Sequence, residues 1–264
     1  MDNNRFPASQ LAVSDTHFLT CPFTLGDPHF KLWNQNWFDY HGECDLVFLS
    51  SPHFADGLGL DIHIRTKIRY DYSHIEAAAI RIGGDVLQVG GWGIYLLNGV
   101  ESAKLPNKIS GYTLSHQVIS DKVQKFLIHI SEFEIIELKY FKDMVAVNMP
   151  SMPALEGSCG MMGDYPLGRT FARDNVTVMD DMNAFGQEWQ VRDHEPKLFQ
   201  TIRMPQYPTQ CRLPEPKKQS RRLGETVAEA TARKACAGWG EAIEHCVFDV
   251  MATGDLEFAA AGAF

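Results

Sequence analysis

The sequence predicts a mainly β protein, built from antiparallel strands in a sandwich or a barrel and followed by a small helical hairpin. Three observations support this fold class. Apolar and polar residues alternate in several short segments of the first two thirds of the chain. Turn sequences that contain glycine separate these segments. From residue 223 the sequence becomes rich in alanine and glutamate, which favour helix.

The clearest predicted strand is LDIHIRTKIRY, residues 60–70. Its apolar residues occupy almost every second position, so we expect them to face the core. The polar residues between them, including His63, are expected to face solvent. This placement gives His63 no catalytic role.

Further strands are predicted around recognisable turns. Gly83-Gly84-Asp85 lies between two apolar runs, and Asn98-Gly99 repeats this hairpin signal. Residues 126–141 alternate again, but the phase slips at Ile135-Ile136, which suggests a bulge or a crossing between strands. One more short strand is predicted at MVAVNM, residues 144–149.

The C-terminal quarter has a different character. A stretch with four prolines and a basic cluster, MPQYPTQCRLPEPKKQSRR, indicates an extended arm and linker. In the helical segment that follows, Cys236 and Cys246 are ten residues apart, about 15 Å on one straight helix. A disulfide requires Cα atoms within about 7 Å. A break at Gly238-Trp239-Gly240 would therefore produce a helical hairpin that is stapled at its ends.

Length, composition and charge limit the possible function classes. The 264 residues, of which 45% are apolar and 22% charged, are typical of a folded globular protein. The net charge of −9 argues against nucleic acid as a partner, because nucleic-acid binding requires clustered lysine and arginine, and leaves room for cations such as calcium. No segment approaches the roughly 20 consecutive apolar residues of a membrane span, so none is predicted.

The cysteines by themselves leave the redox compartment open. No CxxC or HxxxH spacing groups them as a zinc site. They are either free thiols of a cytosolic protein or three disulfides formed in an oxidising compartment. The six are Cys21, Cys44, Cys159, Cys211, Cys236 and Cys246.

Four segments occur in a familiar order: CPFTLGDPHF, FDYHGEC, LEGSCGMMGD and AFGQEWQV. This series resembles the von Willebrand factor type D (VWFD) domain over roughly residues 18–258. The tail ARKACAGWGEAIEHCVFDVMATGDLEFA is similar to a shortened form of the cysteine-rich helical module that often follows this domain. The resemblance implies an antiparallel β-sandwich.

The resemblance also implies a division of the chain into four parts. These are an N-terminal extension at 1–17, a VWFD β domain at 18–192, a proline-rich arm and linker at 193–222, and a cysteine-stapled helical module at 223–264.

The disulfide pairing follows from the family pattern. The resemblance implies Cys21–Cys159 and Cys44–Cys211, and it leaves Cys236–Cys246, in agreement with the hairpin argument. Three such bonds indicate an extracellular or cell-surface protein. The first ten residues lack a basic region followed by an apolar one, so no signal peptide is visible, and we interpret the chain as an excised domain or an incomplete N-terminus.

The family's calcium loop is altered in this sequence. It reads CGMMGDYPLG, with methionines where oxygen ligands belong, and Asn34 stands where an aspartate is usual. We expect no certain cofactor and at most one calcium ion, held weakly near Asn34 and Asp164, because calcium requires six to eight oxygens. Other residues nearby are either further ligands or helix caps and turn residues; they are Asp174, Asn175, Asp180 and Asp181.

A single NVT sequon predicts N-glycosylation of Asn175, provided that the protein passes through a eukaryotic secretory pathway. The aromatic residues of the first strand pair could form a binding platform, but packing into the core is the interpretation that we favour. They are Trp33, Trp37, Phe38 and Tyr40.

The sequence therefore predicts a non-catalytic extracellular adhesion or structural binding module. Its expected partner is a protein or polysaccharide of the extracellular matrix or cell surface, and no enzyme activity is expected. A soluble hydrolase lacks support, since neither GxSxG nor HExxH occurs in the chain.

The alternative is a self-processing protein that cleaves its own Asp27–Pro28 bond. The Asp27 carboxyl can attack its own carbonyl while the proline nitrogen leaves, and His29 could protonate that nitrogen. The resemblance implies that the two halves would stay joined by Cys21–Cys159. A proline at the start of a strand also needs no catalytic explanation, so we interpret Gly26-Asp27-Pro28-His29 first as a strand entry.

Overall fold

A computed structural model of the chain describes residues 24–25, 28–69, 72–203, 206–207, 209–215 and 227–261. Within these ranges the protein is mainly β, as predicted, and every pair of neighbouring strands is antiparallel. The strands form three sheets, and three of the helices lie in the C-terminal part.

A small sheet opens the described part of the chain. It has the order β1 (Thr24–Leu25), β2 (His29–Lys31) and β3 (Trp37–Asp39). In the register of β2 with β3, His29 lies opposite Asp39 and Lys31 opposite Trp37. Residues directly opposite each other on antiparallel strands point to the same face, so this register brings His29 and Asp39 together.

The second sheet is a meander of six strands in chain order. Two of its hairpin turns are those predicted, at Gly83-Gly84 and at Asn98-Gly99. Asn98 and Gly99 both have positive φ, 52° and 77°, as the tight hairpin turn requires. A short helix α1 (Phe54–Gly57) lies between the first and the second strand of this sheet. The strands are β4 (Asp45–Ser51), β5 (Leu60–Arg69), β6 (Tyr72–Ile82), β7 (Asp85–Gly90), β8 (Tyr95–Leu97) and β9 (Val100–Glu101).

The third sheet has five strands, also in chain order. The phase slip at Ile135-Ile136 marks the start of a new strand after a turn, in which the Ile130 N–H donates to the Glu134 carbonyl at 2.9 Å. It is therefore a hairpin rather than a bulge. The strands are β10 (Asn107–Ile109), β11 (Tyr112–Val118), β12 (Val123–His129), β13 (Ile135–Phe141) and β14 (Met144–Asn148).

The two large sheets share one apolar core in a sandwich-like arrangement. Ile62 and Ile80 of the six-stranded sheet belong to the same buried cluster as Phe126, Leu138 and Val145 of the five-stranded sheet. Helix α2 (Met182–Glu188) adds Phe185 to this cluster. Burial of these side chains is the main stabilising contribution to the fold.

The solvent-facing placement of His63 is wrong. The side chain is buried, and burial lowers the pKa of His63 to about 4. The reason lies far along the chain: Leu198 and Phe199 pack against Ala77 and Ala79 and cover the part of the outer face around His63. Lys67, farther along β5, stays exposed. Alternation predicted the two faces of β5 but could not show which part of the outer face a distant segment covers.

The C-terminal part forms the predicted helical hairpin. Helices α3 (Glu229–Ala235) and α4 (Ile243–Thr253) are separated by a break at residues 236–242, and α5 (Phe258–Ala261) follows. The Cys236–Cys246 disulfide joins the two ends of the break, with Cα atoms 5.9 Å apart. The hairpin packs on the β sheets through a second buried cluster, which contains Val247, Val250, Phe258, Tyr72, Phe141 and Met144.

A second disulfide, Cys44–Cys211, joins residues 167 positions apart and ties the arm to the start of β4. Both bonds are pairs that the family resemblance implied. Cys21 lies outside the described residues, and Cys159 forms no disulfide with a described cysteine. Among the helices that the structure describes, none is both long enough and apolar enough to cross a membrane.

Candidate functional site

Of the predicted scissile triplet, Asp27 lies outside the described residues, whereas Pro28 and His29 are buried. Pro28 occupies a turn and its carbonyl accepts a hydrogen bond from the Tyr40 N–H at 3.3 Å. His29 begins β2, so the triplet leads into a strand, as the structural interpretation expects.

His29 lies in a polar cluster where the small sheet meets helix α4. Its Nδ1 is 2.6 Å from Asp39 Oδ1, and its Nε2 is 3.6 Å from Asp249 Oδ1. Its ring centroid lies 4.3 Å from that of His245. We call these four residues, His29, Asp39, His245 and Asp249, the histidine cluster.

Local structure places the four residues of the histidine cluster in two pairs, and packing joins the pairs. Strand register places His29 beside Asp39, as described above. His245 and Asp249 are four residues apart on α4 and therefore share one helix face. Packing of that face on the small sheet then brings the two pairs into contact, and the Trp37 ring lies 4.2 Å from the His245 ring.

Ionised and neutral groups meet in the histidine cluster at neutral pH. Burial and the neighbouring His29 together lower the pKa of His245 to about 4, so that this imidazole is neutral. Burial would raise the pKa of Asp39, but the hydrogen bond from His29 and the nearby histidines outweigh that effect and lower it. Asp39 is therefore ionised, and 48% of its side chain remains exposed.

A second polar contact joins the same two elements. Lys31, which is fully buried, forms an ion pair with Glu241 and lies 5.6 Å from the centroid of the Trp37 ring. Charged contacts as well as apolar packing thus hold the small sheet and the helical hairpin together.

A different feature lies on the outer face of β5 and β6. An open groove of about 600 Å³ is bordered by Arg65, Lys67, Arg69, Glu76 and Trp92. Its cations are paired: Lys67 lies 3.2 Å from Glu76, and Arg69 lies 2.7 Å from Asp143. The groove therefore contains several charged hydrogen-bonding side chains, but their charges largely cancel.

Trp92 stands on the rim of this groove and is 64% exposed. Its φ of 59° lies in the left-handed region, which is unfavourable for a bulky side chain. The turn can lie directly against the third sheet because residue 91 is a glycine. A Cβ at this position would lie 2.5 Å from the Cα of Asp143, which is too close. Trp92 is not among the residues that the sequence pattern predicted as functional, although a tryptophan between two glycines in VGGWGIY is a visible signal.

The residues predicted to hold calcium are engaged in hydrogen bonds. The Asp164 carboxylate accepts from the Arg169 N–H at 2.7 Å and from the Arg169 guanidinium at 3.0 Å. Asn34 Nδ2 donates to the Gly168 carbonyl at 3.0 Å, so the two residues belong to one pair of touching loops. Calcium binding there stays a prediction.

The other acidic candidates serve as caps and turn residues. Asp181 caps α2 by accepting from the N–H groups of Asn183 and Ala184. The carboxylate of Asp174 accepts from Val176 and Thr177 in a turn, and Asp180 is exposed.

Asn175 is exposed in the same turn and is therefore accessible as a glycosylation acceptor. Modification of Asn175 stays a prediction. Of the four aromatic residues of the first strand pair, Trp33, Phe38 and Tyr40 are buried and Trp37 is half-buried, in agreement with core packing.

No protein-family model matches the chain, and no curated protein matches it.

Proposed function

We propose that the chain is a non-catalytic, extracellular binding module of the VWFD type, and that its groove binds a polysaccharide of the matrix or cell surface. The observation that carries the proposal is Trp92, an exposed tryptophan held in a left-handed conformation on the rim of an open groove. Residues held in sparsely populated backbone conformations cluster at functional sites.

The chemistry of the groove suits a sugar chain. The flat, apolar face of an indole can stack on the C–H face of a pyranose ring, which removes apolar surface of both groups from water. Arg69 and Glu76 border the groove as members of ion pairs, and their remaining polar positions can hydrogen-bond the hydroxyl groups of a sugar. Because the groove is open rather than enclosed, it suits a chain molecule better than a small ligand.

The position of Trp92 is set before any ligand arrives. Its backbone N–H donates to the Lys142 carbonyl, and Gly91 packs directly on Asp143. A backbone that is already fixed loses little conformational entropy on binding, which favours affinity.

The two disulfides support an oxidising, extracellular location for such a module. Cys44–Cys211 also restrains the arm, whose residue Thr201 borders the groove.

The experiment measures retardation of the purified chain in native gels that contain single soluble polysaccharides, both neutral and acidic. We expect retardation by at least one polysaccharide, and we expect Trp92→Ala to abolish it. The matched control is Phe133→Ala, because Phe133 is 86% exposed in the turn between β12 and β13, away from the groove. Equal retardation of Trp92→Ala and the wild-type chain would refute the assignment of the groove.

The second candidate function is self-cleavage at Asp27–Pro28. The observation that favours it is the hydrogen bond between His29 Nδ1 and the Asp39 carboxylate, because a carboxylate that orients an imidazole is typical of acid–base histidines. His29 also packs against Phe248 of α4, at a centroid distance of 5.7 Å, which fits a structural role equally well.

A further inference from the structure

We infer that His29, Asp39 and His245 form a binding site for a divalent transition-metal ion, with Zn²⁺ as the probe. Each residue offers one ligand atom, and these atoms all lie within 4.8 Å of one another. They come from β2, β3 and α4, so a bound ion would link the small sheet directly to the helical hairpin.

The distances are close to those of a real site. Bonds of about 2.0–2.2 Å from zinc to imidazole nitrogen and carboxylate oxygen place tetrahedral ligand atoms about 3.3 Å apart. None of the separations exceeds 4.8 Å, so none would have to shorten by more than about 1.5 Å, and the 2.6 Å between His29 Nδ1 and Asp39 Oδ1 would have to lengthen by about 0.7 Å. Small side-chain rotations can supply both changes.

The orientation of His29 fits coordination through Nδ1. That nitrogen faces Asp39 Oδ1 at 2.6 Å, and a metal ion would replace the proton that now joins the two atoms. The proton leaves Nδ1 for Nε2 or for solvent. On the other side of the ring Nε2 lies 3.6 Å from the buried carboxylate of Asp249, and a shift to hydrogen-bond distance on metal binding would let this second carboxylate orient the histidine.

The donor set selects the class of metal. Two imidazole nitrogens and one carboxylate suit zinc and its neighbours, whereas calcium and magnesium require oxygen ligands. The site therefore differs from the predicted calcium site at Asn34 and Asp164 in both place and chemistry. The half-exposed Asp39 provides an entry path, and three protein ligands leave a fourth position for water.

The test uses the full chain without a polyhistidine tag, stripped with a chelator and titrated with Zn²⁺ by calorimetry at neutral pH. We expect one ion per chain with micromolar or tighter affinity. His245→Gln and Asp39→Asn should each weaken binding by more than about tenfold, and Asp249→Asn by about 10- to 100-fold. Ca²⁺ at the same concentration should not compete.

The matched control is His194→Gln, because His194 is an exposed histidine outside the cluster. It should bind Zn²⁺ like the wild-type chain. Absence of zinc binding by the wild-type chain would overturn the inference whether or not the variants fold. Binding by His245→Gln that equals binding by His194→Gln would also overturn it, because the ion would then occupy other histidines.

Discussion

The left-handed conformation of Trp92 leads to a prediction about which small residue this position prefers. Trp92 has φ 59° and ψ 20°. We compare Trp92→Gly with Trp92→Ala, because both variants remove the same indole and its partial burial. The difference between their free energies of unfolding then reports the backbone preference at this position alone.

The magnitude follows from two opposing effects. A left-handed conformation costs a residue with a Cβ about 1–2 kcal/mol, and glycine escapes this cost. Glycine in turn loses more backbone entropy on folding, about 0.5–1 kcal/mol relative to alanine. We therefore expect Trp92→Gly to be more stable than Trp92→Ala by about 0.5–1 kcal/mol, or roughly 1–4 °C in Tm.

The assay is urea unfolding monitored by the circular dichroism of the backbone, a signal that does not depend on tryptophan. The same pair of substitutions at Phe133 is the control. Phe133 is not among the described residues with positive φ, so the order should reverse there and Phe133→Ala should be the more stable variant. The reasoning would be refuted if alanine were preferred over glycine at Trp92 to the same extent as at Phe133.

Four further predictions concern other parts of the molecule. Burial lowers the pKa of His63 from 6.5 to about 4, so the unfolded chain binds the extra proton as the pH falls from 6.5 to 4. His63 should therefore account for up to about 3 kcal/mol of the stability lost over that window, in addition to the loss from His245, and urea unfolding of His63→Gln should show a loss that is smaller by this amount. Replacing both Cys236 and Cys246 with serine should cost about 2–3 kcal/mol in the same assay, since the bond closes a loop of ten residues, and an unchanged midpoint would contradict this. After a day at about pH 5.5, a reducing gel should show an intact chain; a fragment that begins at Pro28 and disappears in Asp27→Ala would establish self-cleavage instead. Secreted protein from a eukaryotic host should lose mass on glycosidase treatment, and Asn175→Gln should abolish that loss.

Local patterns in the sequence were sufficient for the strands, the turns and the helical break. Alternation at 60–70 predicted β5, and Asn98-Gly99 predicted a hairpin whose two turn residues both have positive φ. The ten-residue spacing of Cys236 and Cys246 predicted the break between α3 and α4. Each of these features depends on residues only a few positions apart, and their backbone preferences act in any tertiary context.

The candidate sites could not be predicted in this way. The sequence directed attention to Asn34 and Asp164, whose side chains are engaged with Gly168 and Arg169. The groove requires β5, β6 and the turn at Trp92 to lie side by side, and only strand pairing brings them together. Periodicity says which residues share a face but does not say what the face borders.

The sequence by itself determined the elements of this protein, and the tertiary structure decided what covers each of them. His63 shows the difference on one strand: alternation assigned it to a solvent-facing side, and Leu198 and Phe199 of the arm cover that side around His63. His29 shows it between modules, because its position on β2 is local but its contacts with His245 and Asp249 depend on how α4 packs. The physical reason is that backbone preferences and turn chemistry act over a few residues, whereas burial of apolar surface is non-directional and can recruit any segment that reaches the uncovered face.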